Sequence, residues 1–168
     1  MHGLGAGVQG GDLWVDLLIV VLCILLSAFF AGSETALTAA SHGRMHTLEK
    51  EGDRRAAAVN RLLRQRNRMI AALLLGNTLV TIGSSAFTTS VLNSLVGENG
   101  AVYATIIMTA LLLVFAEVLP KTLAINYPDA MSLRVAKIIT PFVSVFGPVL
   151  AAVEFIVRTV LSLVGVDI

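Results

Sequence analysis

The chain has 168 residues, of which 56% are apolar and only 14% charged, with a mean hydropathy of +0.84. An ordinary soluble domain carries about 25% charged residues, so this composition excludes a typical soluble globule and points to an integral membrane protein. The net charge of +1 excludes a broad nucleic-acid-binding surface, and the single cysteine, Cys23, excludes an intrachain disulfide or a thiolate metal framework.

Residues 1–11 are rich in glycine and carry no Lys or Arg, so the basic start of a secretory leader is missing. An apolar run follows over residues 13–40, longer than the ~20 residues a membrane helix needs. Cys23 reads as a lipid- or core-facing filler within it. The end of this run, "LSAFFAGSETALTAAS", carries Ser27, Gly32, Ser33, Glu34 and Thr35. Residues 41–68 then hold Arg44, Lys50, Arg54, Arg55, Arg61, Arg64, Arg66 and Arg68. In this stretch Ala56, Val59, Leu62 and Leu63 recur at helical spacing, which predicts an amphipathic helix near the membrane face. His42 and His46 have the i, i+4 spacing of a metal pair, but no carboxylate motif accompanies them, and they read as solvated.

A second span is predicted over residues 69–95 and a third over 101–125, separated by the turn "VGENG". That turn has no basic residue, so the positive-inside rule places the 41–68 loop in the cytoplasm and the N-terminus outside. Arg134 and Lys137 agree with that orientation. A fourth apolar stretch, 138–166, is interrupted by Pro141, Gly147, Pro148, Glu154 and Arg158. Its length permits a span. Its interruptions favour a kinked helix pair at the cytoplasmic side, with Glu154 and Arg158 placed to pair one helical turn apart.

Each of the three spans carries polar groups that lipid disfavours. With a rise of ~1.5 Å per residue, Ser27 lies ~21 Å below Leu13, Glu117 ~24 Å below Ala101, and Asn77 ~14 Å from Arg68. In a hydrocarbon core of ~30 Å these three converge on one level in the cytoplasmic half. Hydroxyl, amide and carboxylate oxygens suit a hard cation such as Mg²⁺ or Ca²⁺. Gly32 is expected to loosen the first helix and release carbonyls. Pro120 is expected to leave the carbonyl of Ala116 without a donor. The competing reading is structural: Ser27 and Asn77 joining helices by hydrogen bonds, and Glu117 with Lys121 forming a self-contained ion pair. Glu34 stands lower, at the cytoplasmic interface, as a cap or a partner for the basic loop.

The stretches "AFFAGSETALTAAS", "LLLGNTLV" and "VFAEVLPKTLA", in this order, resemble the transmembrane domain of the CorC/cyclin M (CNNM) magnesium transporters. The resemblance covers nearly the whole chain. It implies an all-α membrane fold of three transmembrane helices with a cytoplasmic-side juxtamembrane helical region over about 128–166, assembled as a homodimer in the cell membrane. It implies Mg²⁺ export, with Na⁺ entry as the proposed coupling, and no enzymatic activity. The family's serine pair in the first span matches Ser27 but meets Ala31 at its second position. The backbone of Ala31 and Gly32, or the Ser33 hydroxyl, would then substitute. The family's asparagine matches Asn77 and its acidic ligand Glu117; Lys121 and Glu34 are possible charge partners. A membrane anchor and Mg²⁺ sensor that regulates a partner is the alternative to a transporter. The family's paired nucleotide-binding modules do not follow Ile168, so a truncated chain or a stand-alone membrane domain is expected.

Overall fold

A computed structural model describes residues 10–166, and their regular structure is helical. The helices are α1 (Gly10–Ala39), α2 (His42–Lys50), α3 (Arg54–Arg64), α4 (Arg66–Leu112), a wider π-helical turn (Leu113–Val118), α5 (Leu119–Asn126), α6 (Pro128–Val145) and α7 (Gly147–Val164). The glycine-rich start, residues 1–9, lies outside the described residues. Four stretches are long and apolar enough to cross a membrane: Leu13–Ala39, Arg66–Gly97, Val102–Asn126 and Gly147–Val164. The described residues form two compact units, 10–32 with 76–123, and 33–75 with 124–166.

In the first unit the chain is dominated by Leu, Val, Ile and Ala, and helix is the conformation that satisfies backbone groups where water is absent. Trp14, Leu18, Tyr103 and Ile106 all point outward, as expected of side chains that meet lipid rather than a protein core. Two features interrupt the helices. Gly97 adopts φ 71° and ψ 178°, separating the Arg66–Gly97 stretch from the one that begins at Val102. A side chain at that φ would be strained, so glycine suits the bend. The second interruption is the π turn, closed by a bond from the Leu119 N–H to the Val114 carbonyl, five residues back. Pro120 follows at once and has no N–H for the Ala116 carbonyl, so ordinary α-helical bonding cannot run through this point.

Gly32 does not interrupt α1, which is continuous from Gly10 to Ala39. The expected loosening is absent for a physical reason. A glycine costs a helix about 1 kcal/mol, whereas an unsatisfied carbonyl in hydrocarbon costs several.

In the second unit α3 lies against both α2 and α6. It buries Ala56, Val59, Leu62 and Leu63, the four residues whose spacing predicts its apolar face. Met45 of α2 and Ile139 of α6 are fully enclosed. Burial of each large side chain contributes roughly 1.5–3 kcal/mol, and the arginines of α3 stay exposed. The Ser41 N–H donates to Asp129 Oδ1 at 2.9 Å, and Arg44 lies 3.8 Å from the same carboxylate. These contacts tie the start of α2 to the first turn of α6. Asn60 and Arg64 of α3 both reach the Glu49 carboxylate of α2.

The turn between α2 and α3 uses Gly52 at φ 96°, and Asp53 then caps α3 by accepting from the Arg55 N–H at 2.8 Å. The Arg55 side chain also donates to Asp53, with its nearest ion-pair approach at 3.1 Å. The Asp53 carboxyl is therefore held below its ordinary value of 3.8, first by the Arg55 side chain and then by the Arg55 backbone N–H. A depressed carboxyl pKa stabilises the fold above its unfolded value and loses that contribution as pH falls through the folded one. The melting-temperature difference between the wild type and Asp53→Asn is accordingly expected to be constant from pH 7 to 5. It should shrink below about pH 4. A pH-independent difference would show that the carboxylate charge contributes nothing there.

The last apolar region breaks at Phe146, between α6, which contains Pro141, and α7, which begins Gly147–Pro148. Glu154 and Arg158 do not form the ion pair that their spacing allows; among the described residues the pairs are Arg44–Asp129, Arg55–Asp53, Arg64–Glu49 and Lys121–Glu117. Spacing on a helix brings two Cβ atoms near each other without fixing the long side chains.

Candidate functional site

Ser27, Asn77 and Glu117 belong to the same unit. Ser27 sits on α1 and is 6% exposed. Its hydroxyl donates to Asn77 Oδ1 across 50 residues of chain at 3.3 Å, a long and hence weak bond. Ser27 and Glu117 both line one cavity of about 270 Å³, with Thr81, Ser84 and Thr109 adding hydroxyls. Asn77 is not part of that wall and bears on the cavity through Ser27. The volume leaves space for a cation together with several waters.

Glu117 comes from within the π turn. Turns of this kind are frequent at functional sites, because they re-aim one side chain without breaking the span. Its carboxylate lies 3.5 Å from Lys121 Nζ, and both groups are about two-fifths exposed. The donor set at the cavity is thus one carboxylate surrounded by neutral oxygens. No group of three or more His, Cys, Asp and Glu suited to a metal occurs among the described residues.

The remaining predicted residues lie elsewhere. Ala31 and Gly32 are buried on α1 one turn beyond Ser27, inside an unbroken helix. Ser33 and Glu34 belong to the second unit. Ser33 is fully buried, and its hydroxyl has no hydrogen-bond partner. Glu34 is half-buried, and its backbone carbonyl accepts from Thr38. His42 and His46 are exposed on α2.

Sequence reasoning missed the hydroxyls of Thr81, Ser84 and Thr109. For Thr81 and Ser84 the available signal was the polar run "TIGSSAFTTS" inside a span-length stretch; Thr109 stands outside it, among apolar residues. Ser84 bonds back to the Val80 carbonyl and Thr109 to the Thr105 carbonyl. That is the ordinary way a hydroxyl is satisfied on a helix, so its presence alone does not announce a site.

The family model of the Cyclin M transmembrane N-terminal domain matches residues 18–168. The chain belongs to this family. It is 37% identical over 141 residues to the UPF0053 inner membrane protein YfjD of Escherichia coli (strain K12), covering 84% of this chain and 33% of that protein. It is 28% identical over 150 residues to the "Polyamine export protein" of Haemophilus influenzae, covering 82% of this chain and 35% of that protein. It is 26% identical over 154 residues to "Metal transporter cnnm-4" of Caenorhabditis elegans, covering 89% and 33%. The chain spans about a third of the length of these relatives. Membership in the Cyclin M family, whose model describes a transmembrane domain, together with four span-length apolar stretches among the described residues, makes this a multi-pass membrane protein.

Proposed function

We propose that this Cyclin M domain exports Mg²⁺ across the cell membrane as a homodimer, coupled to Na⁺ entry, with Ser27, Asn77 and Glu117 as the ion's oxygen ligands. The observation that carries the reading is the shared cavity, which Ser27 and Glu117 both line. Hydroxyl, amide and carboxylate oxygens are hard donors matched to a hard cation, and Mg²⁺ keeps several of its waters when bound by few protein ligands. Lys121 would balance the Glu117 charge when the ion leaves. The basic 41–68 loop would lie in the cytoplasm, and the N-terminus outside.

A second reading is polyamine export, in line with the name of the Haemophilus influenzae relative. One carboxylate among hydroxyls, beside the apolar Leu112 and Ala116, also offers what an organic ammonium needs. Liposomes containing the purified chain and a Mg²⁺-sensitive dye separate these readings. Export predicts Mg²⁺ flux above protein-free liposomes that millimolar spermidine does not suppress. Spermidine flux without Mg²⁺ flux would make the protein a polyamine exporter. Mg²⁺ binding without any flux would make it a membrane-anchored sensor.

A further inference from the structure

The second unit carries a basic cavity that the transport reading does not use. It has a volume of about 460 Å³, opens where α3 gives way to α4, and is walled by Arg64, Arg66 and Arg68 with the amides of Gln65 and Asn67. Glu154 of α7 faces the same space, setting one negative charge against three positive. Arg64 is partly committed to Glu49 at 3.9 Å. Arg66 and Arg68 make no ion pair among the described residues.

A second cavity, about 300 Å³, shares Asn67 and Glu154 with the first. Its walls turn apolar: Ala71 on α4 and Val153, Val157 and Leu161 on α7, with Arg158 beside them. From Glu154 to Leu161 the groove follows about 10 Å of helix. A polar, cationic compartment and a largely apolar one therefore adjoin at Asn67 and Glu154. An inorganic anion would fill only the first compartment, and a neutral hydrocarbon only the second. Moreover, Arg66 opens a span-length stretch, the position at which lipid headgroups meet a membrane helix.

We propose that this bipartite site binds an anionic phospholipid, with Arg66 and Arg68 gripping the phosphate and one acyl chain lying along Ala71, Val153, Val157 and Leu161. Arginine suits this role because its planar fork pairs two N–H groups with two phosphate oxygens. Arg64 completes the basic wall, and Arg158 offsets Glu154. The site lies entirely in the second unit, and its occupancy does not depend on what the first unit transports.

The test uses the full chain in a neutral detergent, with bound lipid counted by native mass spectrometry after incubation with phosphatidylglycerol or phosphatidylcholine of identical chains. Wild type should retain phosphatidylglycerol selectively. R66Q/R68Q should weaken that retention roughly thirty-fold, at the usual worth of a basic residue against an anionic membrane surface. V157W, which fills the groove and leaves every charge in place, should weaken it about tenfold. R66K/R68K keeps the charge but loses the fork and should fall between wild type and R66Q/R68Q. If R66Q/R68Q does not fold, V157W and R66K/R68K decide. Equal retention of the two lipids by wild type overturns the proposal, as does unchanged phosphatidylglycerol retention in the variants. Displacement of the lipid by millimolar inorganic phosphate, with V157W behaving as wild type, also overturns it and reassigns the arginines to a soluble anion.

Discussion

Glu117→Gln is expected to reduce Mg²⁺ flux in proteoliposomes to the protein-free background. The substitution keeps shape and hydrogen-bonding capacity and removes the only carboxylate at the cavity among the described residues. Two unit charges 4 Å apart interact by about 4 kcal/mol at an effective dielectric constant of 20, which corresponds to a loss of roughly a thousandfold; a divalent ion raises the figure. The variant also leaves the Lys121 ammonium without its partner at 3.5 Å, so a loss of flux through misfolding must be separated from the loss of a ligand. Glu117→Gln combined with Lys121→Met removes both charges and relieves that imbalance. If Glu117 is a ligand, the double variant is monodisperse, retains its helical circular dichroism and still transports nothing. Wild-type flux in the double variant would reduce Glu117 and Lys121 to a structural pair.

Pro120→Ala should have the opposite effects on stability and on transport. A proline inside a helix costs about 3 kcal/mol or more, and alanine restores an N–H that can reach the Ala116 carbonyl. With that bond available, the wide turn over Leu113–Val118 can close to ordinary α-helix. Eliminating the extra residue of the turn rotates everything on one side of it by about 100° relative to the other. Glu117 would then be re-aimed relative to Thr109, one of the cavity's hydroxyls. We expect a melting midpoint several degrees higher, together with a fall in Mg²⁺ flux of about tenfold or more. Higher stability with unchanged flux would mean that the register of Glu117 is irrelevant to transport. Unchanged values of both would mean that Pro120 does not hold the turn open.

How far the sequence could be read varies with the physics of each element. The apolar face of α3 was legible residue by residue, because a basic amphipathic helix has one way to bury Ala56, Val59, Leu62 and Leu63. The spans were legible from length and composition, since backbone satisfaction in lipid leaves helix as the open choice. The meeting of Ser27 with Asn77 was anticipated from a depth argument that needs only the rise per residue. The π turn was not anticipated. Pro120 announced an interruption in the third span, but widening the turn upstream instead of bending the helix is decided by packing. Gly32 misled for the converse reason: glycine permits a break, and here the unbroken ladder of hydrogen bonds won. Glu154 and Arg158, which form no ion pair among the described residues, show the same limit, because helical spacing states a possibility that side-chain rotamers need not take up.

The pairing of Ser27 with Asn77, and of Glu117 with Lys121, bears on how the domain is made. Every group proposed to hold the ion already has a companion within the protein. The helices can therefore enter the bilayer and assemble with these four side chains mutually satisfied, and folding needs no cargo. A hydrogen bond between membrane helices is worth on average only about 0.6 kcal/mol, so separating Ser27 from Asn77 when an ion arrives costs little. Under the proposed function, the same weakness that makes the bond a poor staple would make it a serviceable latch: strong enough to keep water-seeking groups occupied during biogenesis, and weak enough to open for a passing ion.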